Sequence, residues 1–512
     1  MTNIIMNVLI VGAGPVGLTC SHLLSRLGVN NTILERQSRL TTHPSAHFLH
    51  SRTMEIFETI DIADSIYNSM PSAEEWRKFI YCSSIRGTHF RVHDHFLSNS
   101  FKLNSSLSHL LPAHFPQNKL VSLLVSKLPN PSNLLLGEDL ADFSEKNKKI
   151  TVKTSKGRIF EADYLIACDG SASTVREKLG IQLSSTEVLQ SFLNIHFNSK
   201  QLGKICKQSP AMIYFVYNND AVVVMVMHSS DEGEFVLQVP DFPPLTKPSD
   251  YNLGNVTDII NHVAGTGDRV LDIVIKSIKP WRMTTRNAKS MRAGNIFLAG
   301  DAAHALTPAG GFGLNTGVSD VHNLAWKLKF PELLDSYESE RLPRILEIIG
   351  HSYNNYEKIV KVAWNFGLDI NLAKPLGSVL ENLPFGSSIF RLGMNFGQKY
   401  LLNERNGSKY LENEHNLLDL IYPNEDLMFK YKRGFFEKGG ELASGHKVQF
   451  EGKNLPLRQV PGVIARDQGK CVFVRVNGKQ GQGEFKYPIV DVEFAGHGSS
   501  IIRPDGHVYW SE

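Results

Sequence analysis

The chain has 512 residues, 42% of them hydrophobic, and its 54 basic and 51 acidic residues give a formal net charge of +3. This composition is typical of a soluble globular protein, is too weakly basic to indicate nucleic-acid binding, and allows two or three domains. The cysteines, Cys20, Cys82, Cys168, Cys206 and Cys471, are scattered without a Cys-x-x-Cys pair, which predicts neither a disulfide framework nor a zinc site. We expect a cytoplasmic protein with no secretory signal and no transmembrane segment.

The first predicted element is a buried parallel strand from Val8 to Val11, followed at once by a glycine motif. Gly12 fits a tight turn, and Gly14 leaves room for the backbone to approach a pyrophosphate. Gly17 allows the next helix to pack closely on the strand. Pro15 suits the first turn of that helix, where its missing N–H costs nothing.

A second predicted strand covers residues 32–34 and ends in Glu35, 23 positions after Gly12 (35 − 12). A carboxylate at about this distance binds the ribose of dinucleotides in the Rossmann fingerprint. Strand, glycines, helix, strand and acid in this order predict a dinucleotide site, without distinguishing FAD from NAD.

A third predicted strand, residues 296–299, is followed by Gly300 and Asp301. An acid at the carboxyl end of a buried strand lies where open α/β sheets bind ligands, and it can accept hydrogen bonds from a polyol such as a ribityl chain. The glycines between positions 310 and 313 would let the backbone approach a flat ring. The helix predicted from about Leu314 would offer its N-terminal amides to the negative charge of a reduced flavin.

These two motifs, with Cys168-Asp169-Gly170 between them, resemble those of the FAD-dependent aromatic hydroxylases of the p-hydroxybenzoate hydroxylase fold, the class A flavoprotein monooxygenases. The chain is most similar to the phenol 2-monooxygenase and 3-(3-hydroxyphenyl)propionate hydroxylase-like branch. The resemblance extends over roughly residues 5–345.

The resemblance also implies which residues hold the cofactor. Glu35 would bind the adenosine ribose, Gln117 would touch the middle of the cofactor, and Asp301 would bind the ribityl chain. The Pro308 carbonyl and the amides of residues 313–315 would face the flavin ring. The implied cofactor-binding set is Gly12, Gly14, Pro15, Gly17, Glu35, Arg36, Gln117, Asp169, Asp301, Pro308, Gly313, Leu314 and Asn315.

Two further residues of that set are charged, and one position outside it lacks a charge that the family often has. Arg36 is implied to lie along the FAD, and Asp169 is implied in handling both FAD and NAD(P)H. Ser45 stands where the family often has an arginine near the FAD pyrophosphate. Arg39 or His43 could supply that charge instead.

The implied reaction uses NAD(P)H as a transient co-substrate to reduce FAD, and O₂ to form a flavin C4a-hydroperoxide that hydroxylates a phenolic or related aromatic small molecule. The alternatives are a ubiquinone-pathway hydroxylase of the same fold and a non-hydroxylating FAD-binding protein. Homodimer formation is compatible with the pattern, and no catalytic residue is assigned.

The predicted fold class is α/β. It combines a Rossmann-like FAD-binding domain with a mixed, mainly parallel sheet, an inserted antiparallel substrate sheet, a long linking helix, and a C-terminal thioredoxin-like domain in complete or reduced form. The FAD-binding domain is expected over residues 1–71, 111–182 and 291–343, and the substrate domain over 72–110 and 183–290. A helical linker is expected over 344–405 and the C-terminal domain over 406–512. Further predicted elements are strands within 211–226 and 234–239, a proline-rich loop over 241–252, and helices over 255–263 and 343–361.

Several polar and aromatic side chains lie in or next to the predicted substrate sheet, but ordinary packing is the preferred interpretation of each. These are Tyr214, Tyr217, His228, Trp281 and Arg282.

Four other residues have side chains of the types that often act in catalysis or bind metal ions. His304 is expected to be structural within its turn. His93, Asp94 and His95 resemble metal ligands by type, but with no third ligand at a fitting spacing they are interpreted as a solvated loop, and no metal site is predicted.

Overall fold

The computed structural model describes residues 6–185, 187–218, 222–241, 253–267, 269–367, 402–436, 447–450, 453–456, 473–476, 489–492, 500–505 and 507–511. Within these ranges no helix combines the length and the apolar character needed to cross a membrane. Cys20, Cys82, Cys168 and Cys206 are free, and Cys471 lies outside the described residues.

The first sheet contains the predicted dinucleotide-binding strands and confirms the α/β fold class. Its strands are parallel except for the short antiparallel one at its edge. Ile10 pairs with Ile166 on one side and Ile33 on the other, and these three side chains are fully buried, as expected when both faces of a sheet are covered. In spatial order the strands are Arg292–Ala293, Ile296–Leu298, Tyr164–Ala167, Asn7–Val11, Asn30–Glu35 and Leu134–Leu136.

Three helices pack near the carboxyl ends of these strands. Pro15–Arg26 begins at the predicted proline and contacts both Gln117–Ser126 and Phe312–Lys327. Gly28 has φ +67°, the left-handed conformation that ends many helices without a steric penalty. The strand–turn–helix order predicted for the start of the chain is therefore confirmed.

The second sheet has seven strands and forms the wall opposite the glycine turns. The prediction of a wholly antiparallel sheet is wrong at one pair, because Ile213–Tyr217 runs parallel to Lys78–Cys82. Parallel neighbouring strands require a long connection between them. Residues 83–212 form this connection, and they include strands of the first sheet. The strand order is Val274–Met283, Gln190–Asn198, Glu234–Asp241, Val222–Ser229, Ile213–Tyr217, Lys78–Cys82 and His89–Asp94.

Shorter elements complete the described chain. A three-stranded antiparallel sheet contains Leu140–Lys146, Lys149–Thr154 and Ile159–Ala162. Paired short strands are Phe48–Leu49 with Ala113–His114, Arg286–Asn287 with His304–Ala305, and Lys447–Phe450 with Lys453–Pro456. Further helices are Ser51–Thr59, Ala63–Ser69, Ala73–Trp76, Asn99–Leu107, Thr174–Lys178, Lys200–Cys206, Leu253–Ala264, Glu404–Leu411 and Pro423–Asp426. The helix expected over 255–263 is confirmed, and the proline-rich loop lies outside the described residues except for Asp241, which ends a strand.

The long helix spans Ser336–Asn365 and starts seven residues before the predicted start at Pro343 (343 − 336). Its first turns are fixed by tertiary contacts, since the buried Tyr337 donates its hydroxyl to the Leu298 carbonyl at 2.8 Å. These contacts offset the backbone hydrogen bond that a proline inside a helix removes. Most of the predicted linker beyond this helix lies outside the described residues.

The segment 402–436 packs on the second sheet and on the long helix. Leu411, Leu418 and Ile421 share one apolar cluster with Phe79 and Phe215 of the sheet. The end of the chain forms a four-stranded sheet in the order Ile489–Val492, Phe473–Val476, Ser500–Ile502 and Val508–Ser511. The apolar contacts of the segment 402–436 therefore hold it against the second sheet.

One of these contacts predicts a pH dependence of stability. The buried Asp426 carboxylate accepts a hydrogen bond from the Arg52 amide at 3.1 Å, and burial raises the pKa of Asp426 to about 7. The folded state then binds a proton that the unfolded state has released, so this group destabilises the fold as pH rises from about 4 to about 7, by at most about 1.4 kcal/mol per pH unit.

We expect Asp426→Asn to remove this pH-dependent loss of folding stability. The difference in stability between the variant and the wild type should therefore favour the variant more at pH 8 than at pH 5. Urea unfolding midpoints at several pH values measure it. The control is Asp335→Asn, an exposed carboxylate at the start of the long helix, which should follow the wild-type curve. Parallel curves for wild type and Asp426→Asn would contradict the assignment.

Candidate cofactor and substrate site

The turn after the first strand is closed by close backbone contacts. Gly12 has φ +101°, and a Cβ there would lie 2.4 Å from the Cys168 carbonyl oxygen. A Cβ at Gly17 would lie 2.0 Å from the Gly12 carbonyl oxygen. Gly14, by contrast, has ordinary φ −72° and no atom within 4 Å of its Cβ position. Gly12 and Gly17 thus serve the fold, while Gly14 opens onto free space beside the first amides of a helix.

A second turn faces the first one. The 3-10 turn Gly300–Ala302 exposes Asp301 to the central cavity, and enclosure raises the pKa of this carboxyl. Gly310 and Gly311 have φ +100° and +69°, and the helix Phe312–Lys327 begins directly after them. The amides of its first turn have no acceptor within the helix and can bind an electron-rich ligand.

A third loop lies between these two turns. The Asp169 carboxylate accepts the Val175 amide at 3.2 Å through one oxygen, while its other oxygen is buried and has no hydrogen-bond partner among the described residues. Burial raises the pKa of Asp169. Arg176 donates to the carbonyls of Ala302 and Ser171 at 3.0 and 3.1 Å and so joins this loop to the second turn.

One cavity of about 1230 Å³ connects the turns to the second sheet. It exceeds the roughly 300–1,000 Å³ of most ligand pockets. At one end Gly14, Asp301 and Gly313 lie in its wall. The other end is mainly apolar and is lined by Phe79, Met212, Phe215, Tyr217, Val224, Ile359, Ala363 and Leu420.

Residues 5–352 match the model of the family described as FAD binding domain. The chain belongs to this family. Its cofactor is FAD, which agrees with the resemblance seen in the motifs.

The relatives include a putative polyketide hydroxylase of Streptomyces halstedii, 30% identical over 66% of this chain and 62% of its own length. A 4-methyl-5-nitrocatechol 5-monooxygenase of Burkholderia sp. is 29% identical over 68% of this chain and 66% of its own length. The chain thus matches less than two thirds of the Streptomyces halstedii protein, and only 55% of a putative polyketide hydroxylase from Streptomyces coelicolor.

Solved structures agree in fold. The flavin-dependent monooxygenase PieE in complex with FAD and substrate has a TM-score of 0.77 at 21% identity, covering 100% of this chain and 96% of that chain. Aklavinone-11 hydroxylase with FAD and aklavinone has a TM-score of 0.74 at 20% identity, with the same coverage.

The residues present fit FAD. The buried Asp169 oxygen, which has no hydrogen-bond partner in the described part of the chain, and the open space at Gly14 are features that a bound cofactor would use. The predicted residues that line the cavity are Gly14, Pro15, Gln117, Asp301, Pro308, Gly313 and Leu314. Each stays a prediction as a cofactor contact.

The other six predicted residues are absent from the wall of this cavity: Gly12, Gly17, Glu35, Arg36, Asp169 and Asn315. Glu35 accepts the amides of Ala13 and Gln37, both at 2.8 Å, which places it beside the glycine turn. The Asn315 side chain is engaged with Phe48, His50 and Gly311, so only its backbone is available to a ring. Arg36 is exposed next to Glu35.

Of the two residues that could supply the charge missing at Ser45, His43 lines the cavity, and burial lowers the pKa of its ring to about 4. Arg39 lies outside the cavity wall. Arg286 is in that wall, donates to the Ser171 carbonyl at 3.3 Å, and is close enough to Asp301 to lower its pKa. We did not predict Arg286 from the sequence, and no motif around it indicates this role.

The structural interpretation of His304 agrees with its contacts. Its Nε2 lies 2.7 Å from Asp320, which also accepts the Gly300 amide at 3.0 Å and pairs with Arg341 at 2.8 Å. Burial alone would raise the pKa of Asp320, but Arg341 and His304 hold it below its ordinary value. These buried contacts fix the turn that presents Asp301.

The five residues predicted in or next to the substrate sheet fall into two groups, those that line the cavity and one that lies in the core. Tyr217, His228, Trp281 and Arg282 line the cavity, whereas Tyr214 donates to the Ser209 carbonyl inside the core.

The solvated-loop interpretation of His93 and His95 is wrong. His93 belongs to a strand, and His95 is 1% exposed. Asp419, 326 positions after His93 (419 − 93), approaches His93 to 3.1 Å and completes a group of three possible metal ligands. Sequence spacing contains no signal of a contact at this separation.

Proposed function

We propose that the protein is an FAD-dependent monooxygenase that uses NAD(P)H and O₂ to hydroxylate a phenolic aromatic compound. The observation that carries this proposal is one continuous cavity joining the cofactor turns to an apolar wall. A ring bound at that wall would lie next to a ring bound at the turns. The monooxygenases and hydroxylases among the relatives support the reaction class.

The apolar end of the cavity favours a substrate with more than one ring. Phe215 and Val224 of the second sheet and Ile359 and Ala363 of the long helix line this end. Tyr217, which also lines it, stacks on Phe366 with ring centroids 4.5 Å apart. In a wide apolar slot a single small ring buries little apolar surface and gains little binding free energy. A fused ring system buries more surface there and gains more. Polyketide hydroxylases among the relatives support this class.

The role of each part of the site follows from its position in the cavity. FAD bound at the turns supplies hydride acceptance from NAD(P)H and activation of O₂. The helix amides after Gly311 stabilise negative charge on the ring. Arg286 offers positive charge near Asp301, on the polar side. The apolar wall excludes water from the reacting atoms, which limits loss of oxygen as peroxide.

The test follows NADPH loss, H₂O₂ release and product mass together, using purified FAD-loaded protein and a panel of one-ring phenols and hydroxylated polycyclic aromatics. Consumption stimulated by one compound, with one oxygen added to it, supports the proposal. Slow consumption that no compound stimulates and that ends only in peroxide would favour a non-hydroxylating FAD-binding protein.

A narrower slot should change substrate preference. We expect Val224→Phe to reduce kcat/KM for a polycyclic substrate by at least about tenfold, since overpacking costs about 1–3 kcal/mol, and to change turnover of a one-ring phenol little. Val92→Phe, on the exposed strand His89–Asp94, is the control. Equal losses on both substrates would contradict this picture of the slot.

The remaining assignments are also proposals: the domain boundaries given above, a homodimer, a cytoplasmic location and a thioredoxin-like C-terminal fold. The last is supported by the final four-stranded sheet, in which Phe473–Val476 is parallel to Ile489–Val492 while Ser500–Ile502 is antiparallel to both of its neighbours. Light scattering of the purified protein tests the oligomeric state, and a mass near twice 57.2 kDa would support the dimer.

A further inference from the structure

Three histidines from distant parts of the chain meet beside the cavity. His47 precedes the strand Phe48–Leu49, His114 lies on the short strand paired with it, and His228 lies on Val222–Ser229 of the second sheet. One ring nitrogen of each lies within 4.8 Å of the other two. The Nδ1 atoms of His47 and His114 are 3.2 Å apart. We call these residues the histidine triad.

The triad has unused hydrogen-bonding capacity. His228 is 2% exposed, and neither of its ring nitrogens has a hydrogen-bond partner among the described residues. His114 is 1% exposed and lies next to the backbone carbonyls of Met227 and His228. Buried polar nitrogens without partners are costly, so this concentration at one point indicates that something binds them.

The chemistry of the three side chains favours a cation as that ligand. Each imidazole ring can present a nitrogen lone pair to a metal ion, and none of the three brings a negative charge. Neutral imidazoles that converge on one point are ligands of zinc, copper, iron and nickel ions.

The spacing agrees with a metal centre. Two nitrogens bound to one tetrahedral zinc at about 2.0–2.1 Å lie about 3.3 Å apart, close to the 3.2 Å between His47 and His114. His228 would have to approach by up to about 1.5 Å, given a separation of at most 4.8 Å. His47 and His228 both line the cavity, which leaves the fourth position open to it.

We propose that His47, His114 and His228 bind one divalent transition-metal ion, with water or an anionic oxygen ligand from the cavity at the fourth position. The ligands carry no charge, so the ion keeps its double positive charge and attracts such an oxygen. The site lies in the wall of the same cavity as the turns predicted to hold FAD, and it goes beyond the proposed hydroxylation.

The test is calorimetric titration of Zn²⁺ into FAD-loaded, chelator-treated full-length protein. We expect one tight site, weakened at least about 100-fold in His228→Gln and unchanged in His93→Gln. The second variant is the matched control, because His93, His95 and Asp419 form the other group of possible ligands among the described residues. Absence of binding would overturn the proposal, as would binding that His93→Gln removes and His228→Gln retains.

Flavin absorbance after gel filtration shows whether each variant is folded. If His228→Gln does not fold, X-ray absorption at the zinc edge of the wild-type protein decides instead. Three imidazole ligands support the triad, whereas sulfur ligands or fewer than three imidazoles overturn it. Neither measurement depends on turnover, so failure of the hydroxylation proposal would leave this result interpretable.

Discussion

Replacing Gly14 with valine is expected to abolish FAD retention while the protein stays folded. The Gly14 backbone has φ −72° and ψ 176°, which any residue adopts, and its Cβ position has no atom within 4 Å. The side chain would instead project into the cavity where the pyrophosphate must approach the backbone. We expect at least about a 100-fold loss of FAD affinity, measured by flavin fluorescence quenching, and a nearly unchanged unfolding midpoint.

The matched control is Gly28→Ala, which follows the same helix but lies away from the cavity. Gly28 has φ +67° with open space at its Cβ, so alanine should cost about 1 kcal/mol of stability and leave FAD bound. Gly17→Ala gives a third outcome, loss of the fold itself, because its Cβ would lie 2.0 Å from a carbonyl oxygen. Wild-type flavin content in Gly14→Val would show that the pyrophosphate does not approach there.

The sequence predicted best what local chemistry determines. A β-branched run, three glycines with different roles and a proline at a helix start all lie within residues 8–17, and the observed strand Asn7–Val11 and helix Pro15–Arg26 agree with them. The same is true of the strand that precedes Asp301. Periodicity and turn chemistry act over such short distances and are readable in one sequence.

What the sequence did not reveal depends on contacts between distant segments. Arg286 reaches the Ser171 carbonyl from 115 positions away, and Asp419 reaches His93 across 326. The parallel pair in the second sheet and the early start of the long helix are tertiary effects as well. None of these leaves a periodic or spaced pattern, since the partners are selected by the fold and not by their neighbours in sequence.

A buried ion network at the C-terminal end is the extreme case of such contacts. Arg503 pairs with both oxygens of Glu340 at 2.7 Å and with Asp505 at 2.6 Å, and Lys327 lies 2.8 Å from Glu340. All four side chains are at most 1% exposed. Two cations face two anions, so the network is neutral as a whole and links the long helix to the last strands.

Glu340→Ala should therefore destabilise the protein by roughly 3–5 kcal/mol, because it leaves Arg503 and Lys327 buried with one carboxylate between them. Burial would raise the pKa of Glu340, but Arg503 and Lys327 lower it to about 2. Its stabilising effect is thus present above its unfolded pKa and is lost only as pH falls toward 2. Urea unfolding gives the energy, and limited proteolysis shows whether the C-terminal segment is released first.

Glu347→Ala tests whether burial of the charge, and not the charge alone, causes the loss of stability expected for Glu340→Ala. Glu347 lies on the same helix and also pairs across to the C-terminal segment, at Lys432, but its side chain is 35% exposed. Water screens that pair, so its removal should cost no more than about 1 kcal/mol. If both variants lose equal stability, the effect comes from charge on this helix in general. A large loss in Glu340→Ala alone, with early cleavage of the C-terminal segment, would show that desolvated charge holds that segment in place.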